Sequence, residues 1–157
     1  MSDIVGKVLG VILAFILCVL APLTVAVMSD DMTDRRAIYG DMTNFIDEVV
    51  DTATITQEQL EDLYASINAR GPICEIKITR YMRAANPDTN GEIEITYMPV
   101  DVTIGTAGNN IISKFNQGDL IKISVVARDY SGIQKVGRAI LGGFLTPIDL
   151  SVTARVR

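Results

Sequence analysis

The feature that most constrains this chain is an apolar run without any charged residue, from Val8 to Met28. A helix needs about 20 apolar residues to span the hydrocarbon core of a bilayer. Leu, Ile, Val and Phe dominate the run, and each favours membrane insertion by roughly 0.3–0.6 kcal/mol at the centre of a helix. Charged residues return after Ser29, and the rest of the 157-residue chain has the composition of an ordinary domain. The sequence therefore predicts one membrane-spanning helix and one head domain.

Three segments follow from this distribution of charge. We predict a hydrophobic transmembrane and assembly helix over residues 1–28, an amphipathic continuation over 29–53 and a head domain over 54–157. Lys7 lies on one side of the apolar run, and Arg35 and Arg36 lie several residues beyond the other side. A short amino-terminal tail and a large carboxyl-terminal domain favour a single pass through the cytoplasmic membrane with the head outside.

A cleavable signal peptide is the main alternative for the amino-terminal run. It would need a basic start, a shorter apolar core and a small-x-small cleavage site. Only Lys7 supplies the basic start, with Asp3 beside it, and the run is long for a signal core. Thr24-Val25-Ala26 could pass as a cleavage site. The length of the run favours a retained anchor, and cleavage stays open as the alternative.

Small residues recur every four positions along the helix, at Gly6, Gly10, Ala14 and Cys18. Such a row forms a groove in which a neighbouring membrane helix can approach closely. Because Gly and Ala are common in membrane helices, the row could also arise by chance. Asp3 and Lys7 are spaced for an ion pair within the helix, and the alternative is a pair with a neighbouring subunit. We predict that these six residues form the assembly surface.

Helix signals continue beyond the apolar run. Pro22 removes one backbone hydrogen bond and predicts a kink in the outer third of the membrane helix. After Ser29, apolar residues recur at spacings of three and four, which is typical of an amphipathic helix in contact with the head. This apolar stripe consists of Ile38, Met42, Phe45, Ile46, Val49, Val50 and Ala53.

A second helix is predicted from the signals at its two ends. Thr56 and Gln59 have the spacing of a capping box, and Ile55 and Leu60 are placed as its hydrophobic staple. Gly71-Pro72 predicts the end of this helix.

The rest of the head alternates apolar and polar residues, which predicts β-strands. Strands that begin at Cys74 and at Ile93 flank the turn-rich segment Arg83–Gly91, so we expect a hairpin that buries Ile93, Ile95 and Tyr97. Pro99 places the second strand at its end or near a sheet edge.

Further elements complete the predicted head. They are a loop over Gly105–Asn110 with a short helix to Phe115, a turn over Asn116–Asp119, a strand over Ile121–Ala127, a short helix over Ile133–Ile140 and a final strand over Ile148–Val156. The predicted fold class is α+β, with a long amino-terminal hydrophobic helix packed on a small antiparallel sheet.

The composition removes much of the catalytic repertoire. The chain has no His, so the commonest general base and metal ligand is missing. The sequence has no nucleophile elbow, phosphate-binding loop, zinc-protease motif or C-x-x-C pair. Its 14 Lys and Arg are scattered and outnumbered by 19 Asp and Glu, which argues against a nucleic-acid partner. We predict that the protein is not an enzyme and holds no cofactor or metal.

The acidic residues and the cysteines have simpler interpretations. Asp30, Asp31 and Asp34 lack the spacing of a calcium-binding loop, and we expect them to be solvated charge close to the membrane. Cys18 lies in the apolar run and Cys74 in the head, so the two are not placed for a disulfide within one chain. We expect Cys74 to be a small buried residue rather than a nucleophile.

The order of these features resembles a known family. An amino-terminal apolar helix, Pro22, an amphipathic continuation and an antiparallel head resemble a subunit of a type IV pilus. Residues Phe45–Gly71, with Ile55–Leu60 inside them, are similar to short TadE-like pseudopilins of tight-adherence loci in Gram-positive bacteria. Gly118–Ile123 resembles a turn and strand late in those proteins.

The resemblance implies a pilin-like fold and a structural subunit of a pilus or pseudopilus filament on the cell surface. Its implied partners are copies of itself, other pilin-like subunits, the membrane and assembly-platform proteins.

The sequence departs from the family at the processing site. Prepilins carry a Gly at the peptidase site and a Glu five residues into the mature helix, and no such Glu follows Gly6 or Gly10. Asp3 is the acid that is placed to take the charge-pairing role of that Glu. One alternative function is a single-pass scaffold component of a secretion or conjugation apparatus, which would use the same anchor. A membrane-tethered enzyme is a third hypothesis.

Overall fold

The computed structural model describes residues 2–70, 73–87, 93–102, 111–129, 135, 137–139 and 146–157. Helix α1 (Ser2–Phe15) continues through a π-helical turn (Ile16–Leu20) into α2 (Ala21–Thr52). The head contains β1 (Thr54–Thr56), α3 (Gln57–Asn68), β2 (Cys74–Pro87), β3 (Ile93–Asp101), β4 (Ile111–Lys114), β5 (Leu120–Ala127) and β6 (Asp149–Arg155). This is the predicted α+β architecture, a long apolar helix joined to a small antiparallel sheet.

The amino-terminal helix is the longest element of the molecule. Its 49 residues from Ile4 to Thr52 extend over about 70 Å at 1.5 Å per residue. It is the one helix among the described residues that is long and apolar enough to cross a membrane. Before Val27 nearly every described side chain is exposed, and buried side chains occur from that residue onward, with the head core beginning at Ile38. The helix therefore has an exposed half before Val27, which we call the free half, and a second half, from Val27 to Thr52, that belongs to the head.

The hydrogen-bond pattern of this helix changes one turn before Pro22. Pro22 has no N–H to donate to a carbonyl in the preceding turn. Residues Ile16–Leu20 are π-helical, and the Ala21 N–H bonds to the Ile16 carbonyl, five residues earlier. A local π turn is one of the known ways in which a helix accommodates such a break. The structure thus places a π-helical turn just before Pro22, and the kink that the sequence predicts there stays a prediction.

The carboxyl-terminal half of α2 forms the centre of the head core. The predicted stripe is confirmed, because Ile38, Met42, Phe45, Ile46, Val49 and Val50 are all buried. Each such side chain contributes roughly 1.5–3 kcal/mol when it is fully removed from water. Ala53 ends the helix in the left-handed conformation, with φ at 52°.

The predicted four-stranded antiparallel sheet is also confirmed, with the order β3-β2-β5-β6. Alternate residues of β2 and β5 are buried in the core, as their apolar spacing predicts: Cys74, Ile76, Ile78, Ile121, Ile123 and Val125. Leu150, Val152 and Ala154 of β6 are partly buried against the same core. Strands β1 and β4 form a separate two-stranded sheet.

Two predicted elements are wrong in type. The turn-rich segment that begins at Arg83 is strand up to Pro87, because β2 pairs with β3 along nine residues as far as Pro87 and Ile93. The short helix predicted before Phe115 is strand β4, which pairs antiparallel with β1. The Phe115 N–H extends that pairing with a 2.9 Å bond to the Ala53 carbonyl. In both places pairing with a distant strand overrides the local signal.

The burial predicted for Ile93, Ile95 and Tyr97 of β3 is not found, because the two isoleucines are exposed and Tyr97 is only half-buried. The Val102 N–H donates a hydrogen bond to the Ile78 carbonyl, and this register places Met98 and Val100 on the side of the core, where they are still 48% and 42% exposed. Ile93 and Ile95 point to the opposite face and are 73% and 45% exposed. A shift of one residue in a strand exchanges its two faces, and β3 carries apolar residues on both. The alternation alone therefore cannot show whether either face of β3 is buried.

Pro99 lies within β3, which is an edge strand as the sequence predicts. The bond from Val102 to Ile78 fixes which residues of β3 face β2. By alternation, Pro99 turns its nitrogen away from β2. The missing N–H therefore costs the ladder no hydrogen bond.

Three other predicted features concern residues that the structure does not fully describe. The helix end at Gly71-Pro72 and the loop Gly105–Asn110 lie outside the described residues. Of the short helix predicted over Ile133–Ile140, only 135 and 137–139 are described, and these are helical.

The capping box at the start of α3 is confirmed. Thr56 Oγ1 accepts a 3.3 Å bond from the Gln59 N–H, and Gln59 Oε1 accepts a 2.9 Å bond from the Thr56 N–H. Ile55 and Leu60, the predicted staple, are both buried. The turn over Asn116–Asp119 is confirmed as well, with a 3.1 Å bond between its ends.

Replacing Thr56 with Ala is expected to lower the free energy of unfolding by about 1 kcal/mol, because one N–H at the start of α3 loses its acceptor. Denaturant titration of the full chain in detergent, followed by circular dichroism, measures this loss. Thr43 is a matched control, since its hydroxyl bonds only to the Tyr39 carbonyl within α2. Thr43→Ala should change stability by less than about 0.5 kcal/mol, and equal losses in the two variants would contradict a capping role.

Candidate assembly surface

The free half of the amino-terminal helix is an extended exposed apolar surface. Large apolar side chains are exposed on every side of it, including Val11 at 71% and Val25 at 66%. Folded domains rarely leave more than a few hundred Å² of contiguous apolar surface in contact with water. This half of the helix therefore requires a cover of lipid, of other helices or of both.

The predicted small residues lie on this surface. A Cβ atom built on Gly6 or on Gly10 would meet nothing within 4 Å. Glycine in a helix interior costs about 1 kcal/mol relative to Ala, and the chain's own packing gives no reason for it at either position. The open space beside these glycines is available to a neighbouring helix.

The structure divides the predicted row of small residues into two parts. Gly6, Gly10 and Ala14 lie within α1, where a spacing of four advances each residue by about 40° around the axis. They follow the line along which the grooves of a helix surface run. Cys18 is exposed but lies in the π-helical turn, so the row changes its course before it reaches this residue.

The predicted charge pair lies at the start of the same helix. Asp3 and Lys7 both belong to α1, one turn apart. Lys7 is exposed, and the side chain of Asp3 lies outside the described part of the structure. The pairing of Asp3 with Lys7 or with a neighbouring subunit stays a prediction.

Where the helix meets the head, the structure corrects the prediction for Asp31. This residue is buried, and its carboxylate accepts a 2.8 Å bond from Arg35 Nε. Arg35 also donates to the Thr146 carbonyl just before β6. Asp31 is thus part of the link between α2 and the sheet and not solvated charge. Partial burial, with Asp30 and Asp31 nearby, raises the pKa of the Asp34 carboxyl.

The most buried ion pair of the head, among the described residues, joins Asp119 to Arg80. The Asp119 side chain is 3% exposed and accepts a 2.8 Å bond from Arg80 Nε. It also accepts bonds from the N–H groups of Asn116, at 3.0 Å, and Arg83, at 3.2 Å. The Arg80 guanidinium further lies over the Phe115 ring at 5.5 Å. This network ties β2 to the turn before β5.

A turn at Asn116–Asp119 is predicted from the sequence, but the ion-pair partner of the Asp119 carboxylate is not. Burial by itself would raise the pKa of the Asp119 carboxyl. The backbone N–H groups of Asn116 and Arg83 and the Arg80 guanidinium more than offset burial and hold this pKa below its ordinary value of 3.8.

The two cysteines lie in different environments. Cys18 is exposed and Cys74 is buried, and both are free thiols. Burial raises the pKa of the Cys74 thiol, which disfavours the reactive thiolate. In the described parts of the chain, no group of three or more Cys, Asp and Glu is placed to hold a metal ion.

Comparison with known proteins adds no relative to this description. No protein-family model matches the chain, and no curated protein and no solved structure is similar to it.

Proposed function

We propose that this chain is a structural subunit of a pilus or pseudopilus filament, assembled through its amino-terminal hydrophobic helix. The observation that carries the proposal is the free half of that helix. It is apolar and exposed on all sides, and Gly6 and Gly10 leave open space along it. Interfaces between membrane helices are enriched in small residues, which let the two backbones approach closely.

The continuity of the helix supports a filament subunit over a simple anchor. The free half runs through the π turn into α2, whose apolar stripe is the centre of the head core. Contacts between neighbouring free halves would therefore also fix the positions of their heads. A contact that is repeated from each subunit to the next, without closing into a ring, produces a filament.

Before assembly, on this proposal, the helix crosses the cytoplasmic membrane once and the head lies outside. Its partners are copies of itself, other pilin-like subunits and assembly-platform proteins. The role is structural, in adhesion or secretion at the cell surface.

Oxidative cross-linking through Cys18 tests helix association directly. Two cysteines can form a disulfide only when their Cα atoms come within about 7 Å. Membranes that contain the full chain should yield a disulfide-linked dimer on mild oxidation. The dimer should persist in Cys74→Ser and disappear in Cys18→Ser, because Cys18 is exposed and Cys74 is buried.

A cysteine on another face of the helix provides the matched control for disulfides that form by random collision. Ile12 lies about half a turn around the helix from Gly10 and Ala14, at a similar exposed position. In the Cys18→Ala background, Ile12→Cys should cross-link several-fold less than Cys18 does. Equal yields from the two positions would mean that the helices collide without a preferred face, contrary to the proposal.

A further inference from the structure

A basic pocket of about 520 Å³ lies where β2, β6 and the turn before β5 meet. Its charged residues are Arg83, Arg155 and Arg157. Gly118, at the floor, has φ at +93°. A Cβ built on this glycine would lie 3.4 Å from Arg83 Nη1 and 3.6 Å from Arg155 Nη2. The two guanidinium groups therefore reach the same point above the turn.

Neither of these two guanidinium groups has a carboxylate partner among the described residues. The arginines nearby in the fold differ in this respect, since Arg80 pairs with Asp119 and Arg128 with Glu75. Two positive charges at one point repel each other unless an anion lies between them. An arginine pair of this kind suits a carboxylate, which can accept two parallel hydrogen bonds from one guanidinium and a further bond from the other.

The pocket is held in place by the network around Asp119. Arg83 and Arg155 extend from two different strands, and the turn between them is closed by a 3.0 Å bond from the Gly118 N–H to the Val156 carbonyl. The Asp119 carboxylate also accepts a hydrogen bond from the Arg83 N–H. Hydrogen bonds thus hold the backbone that carries the two arginines, which lowers the cost of ordering the pocket around an anion.

The position of the pocket argues against a lipid headgroup as its ligand. Arg157 Nη1 approaches Asp51 Oδ1 at 3.8 Å, so the pocket lies beside the carboxyl-terminal end of α2. That end is about 35 Å along the helix from Met28, where the apolar run stops. An acidic group on a neighbouring protein can reach the pocket more readily.

The chain itself carries a complementary acidic groove. A cleft of about 580 Å³ between α2 and α3 is lined by the carboxylates of Asp41, Glu48, Glu58 and Asp62. Asp41 is neutralised by Arg70 at 2.9 Å. Glu58 and Asp62 are one turn apart on the exposed side of α3 and have no cationic partner among the described residues.

We propose that the Arg83–Arg155 pocket of one copy binds the Glu58 and Asp62 carboxylates of the next copy. This inference rests on the proposed filament function and adds to it a contact between the heads of neighbouring copies. The pocket and the groove share no residue, so each copy can use both at once. Such a head-to-tail contact repeats without closing on itself unless the rotation between copies forms a ring.

A charge-exchange experiment tests this contact on the full chain in detergent micelles, with sedimentation equilibrium as the readout. The double variants R83E/R155E and E58R/D62R should each associate at least about tenfold more weakly than the wild type, since like charges then face each other. An equimolar mixture of the two should recover affinity to within about threefold of the wild type, because each acidic pocket then faces a basic groove. Circular dichroism checks that every variant is folded.

The control variant K114E/K122E lowers the net charge by the same amount as R83E/R155E. Its two lysines line neither the pocket nor the groove. It should associate within about twofold of the wild type, as expected for charges outside the contact. If R83E/R155E associates as tightly as the wild type, or if the mixture of the two double variants does not recover affinity, this contact between heads is wrong. Either result would still be compatible with a filament assembled through the helices. A wild-type chain that stays monomeric would overturn both.

Discussion

Replacing both Gly6 and Gly10 with Leu is expected to abolish association of the membrane helices and to leave the head folded. The open space beside each glycine, where an added Cβ meets nothing within 4 Å, is the space that a partner helix would fill. Two Leu side chains there would hold the partner several Å away and remove the close contact on which such packing depends. Leu is also a better helix former than Gly by nearly 1 kcal/mol, so the helix itself should not weaken.

The experiment compares the amount of oligomer that each variant forms in native membranes. The matched control is V8F/I12F, which adds similar bulk on the side of α1 away from Gly6 and Gly10. We expect at least about a tenfold loss of oligomer for G6L/G10L and little loss for V8F/I12F. Equal losses would indicate a general effect of bulk, and normal assembly of G6L/G10L would rule out packing along this face.

Replacing Asp119 with Ala is expected to destabilise the head by about 3–5 kcal/mol, the usual cost of removing one partner from a buried ion pair. Arg80, at 17% side-chain exposure, would lose its counterion. The N–H groups of Asn116 and Arg83 would lose their acceptor at the same time. Domains of this size are stable by about 5–15 kcal/mol, so the variant should melt at a much lower temperature.

The control for this variant is an ion pair in solvent. Asp101 pairs with Lys77 at 3.2 Å, and both side chains are more than 60% exposed. Asp101→Ala should cost less than about 1 kcal/mol. Denaturant titration of the two variants beside the wild type measures the difference. A loss for Asp119→Ala no larger than that for Asp101→Ala would show that the buried network does not stabilise the head.

The Asp119 carboxylate should also make the stability of the head sensitive to acid. Its folded pKa is below the ordinary value of 3.8, so the unfolded chain binds a proton more readily than the folded chain does. This contribution to stability is therefore complete above about pH 4 and is lost as the pH falls through the depressed pKa. Denaturant midpoints measured between pH 5 and 2 should fall less steeply in Asp119→Asn than in the wild type. Identical pH profiles would contradict the assignment.

Much of the fold could be predicted because its signals are local. The uncharged run from Val8 to Met28, the apolar stripe of α2 and the capping box at Thr56 each depend on residues within a few positions of one another. The alternation in β6 is equally local, and the structure confirms it. Periodicity and capping chemistry determine such elements without knowledge of the rest of the chain.

The features that could not be predicted depend on pairing between distant residues. Strand β4 forms because Ile55 pairs with Ser113, and nothing near Ser113 indicates that partner. Asp119 meets Arg80 across 39 positions. The pocket formed by Arg83 and Arg155 exists only because two strands place them over the same turn. Such contacts are set by the order of strands in the sheet, which local sequence patterns leave open.

We propose that this chain is a subunit of a filament on the cell surface. The most direct test is to shear cells of the native host, pellet the released material and measure the intact mass of this chain in the pellet. We predict that the chain is abundant there, and its mass will show whether Met1 and Asp3 are retained. A chain found only in the membrane fraction at full length would contradict the claim and favour a membrane-bound scaffold.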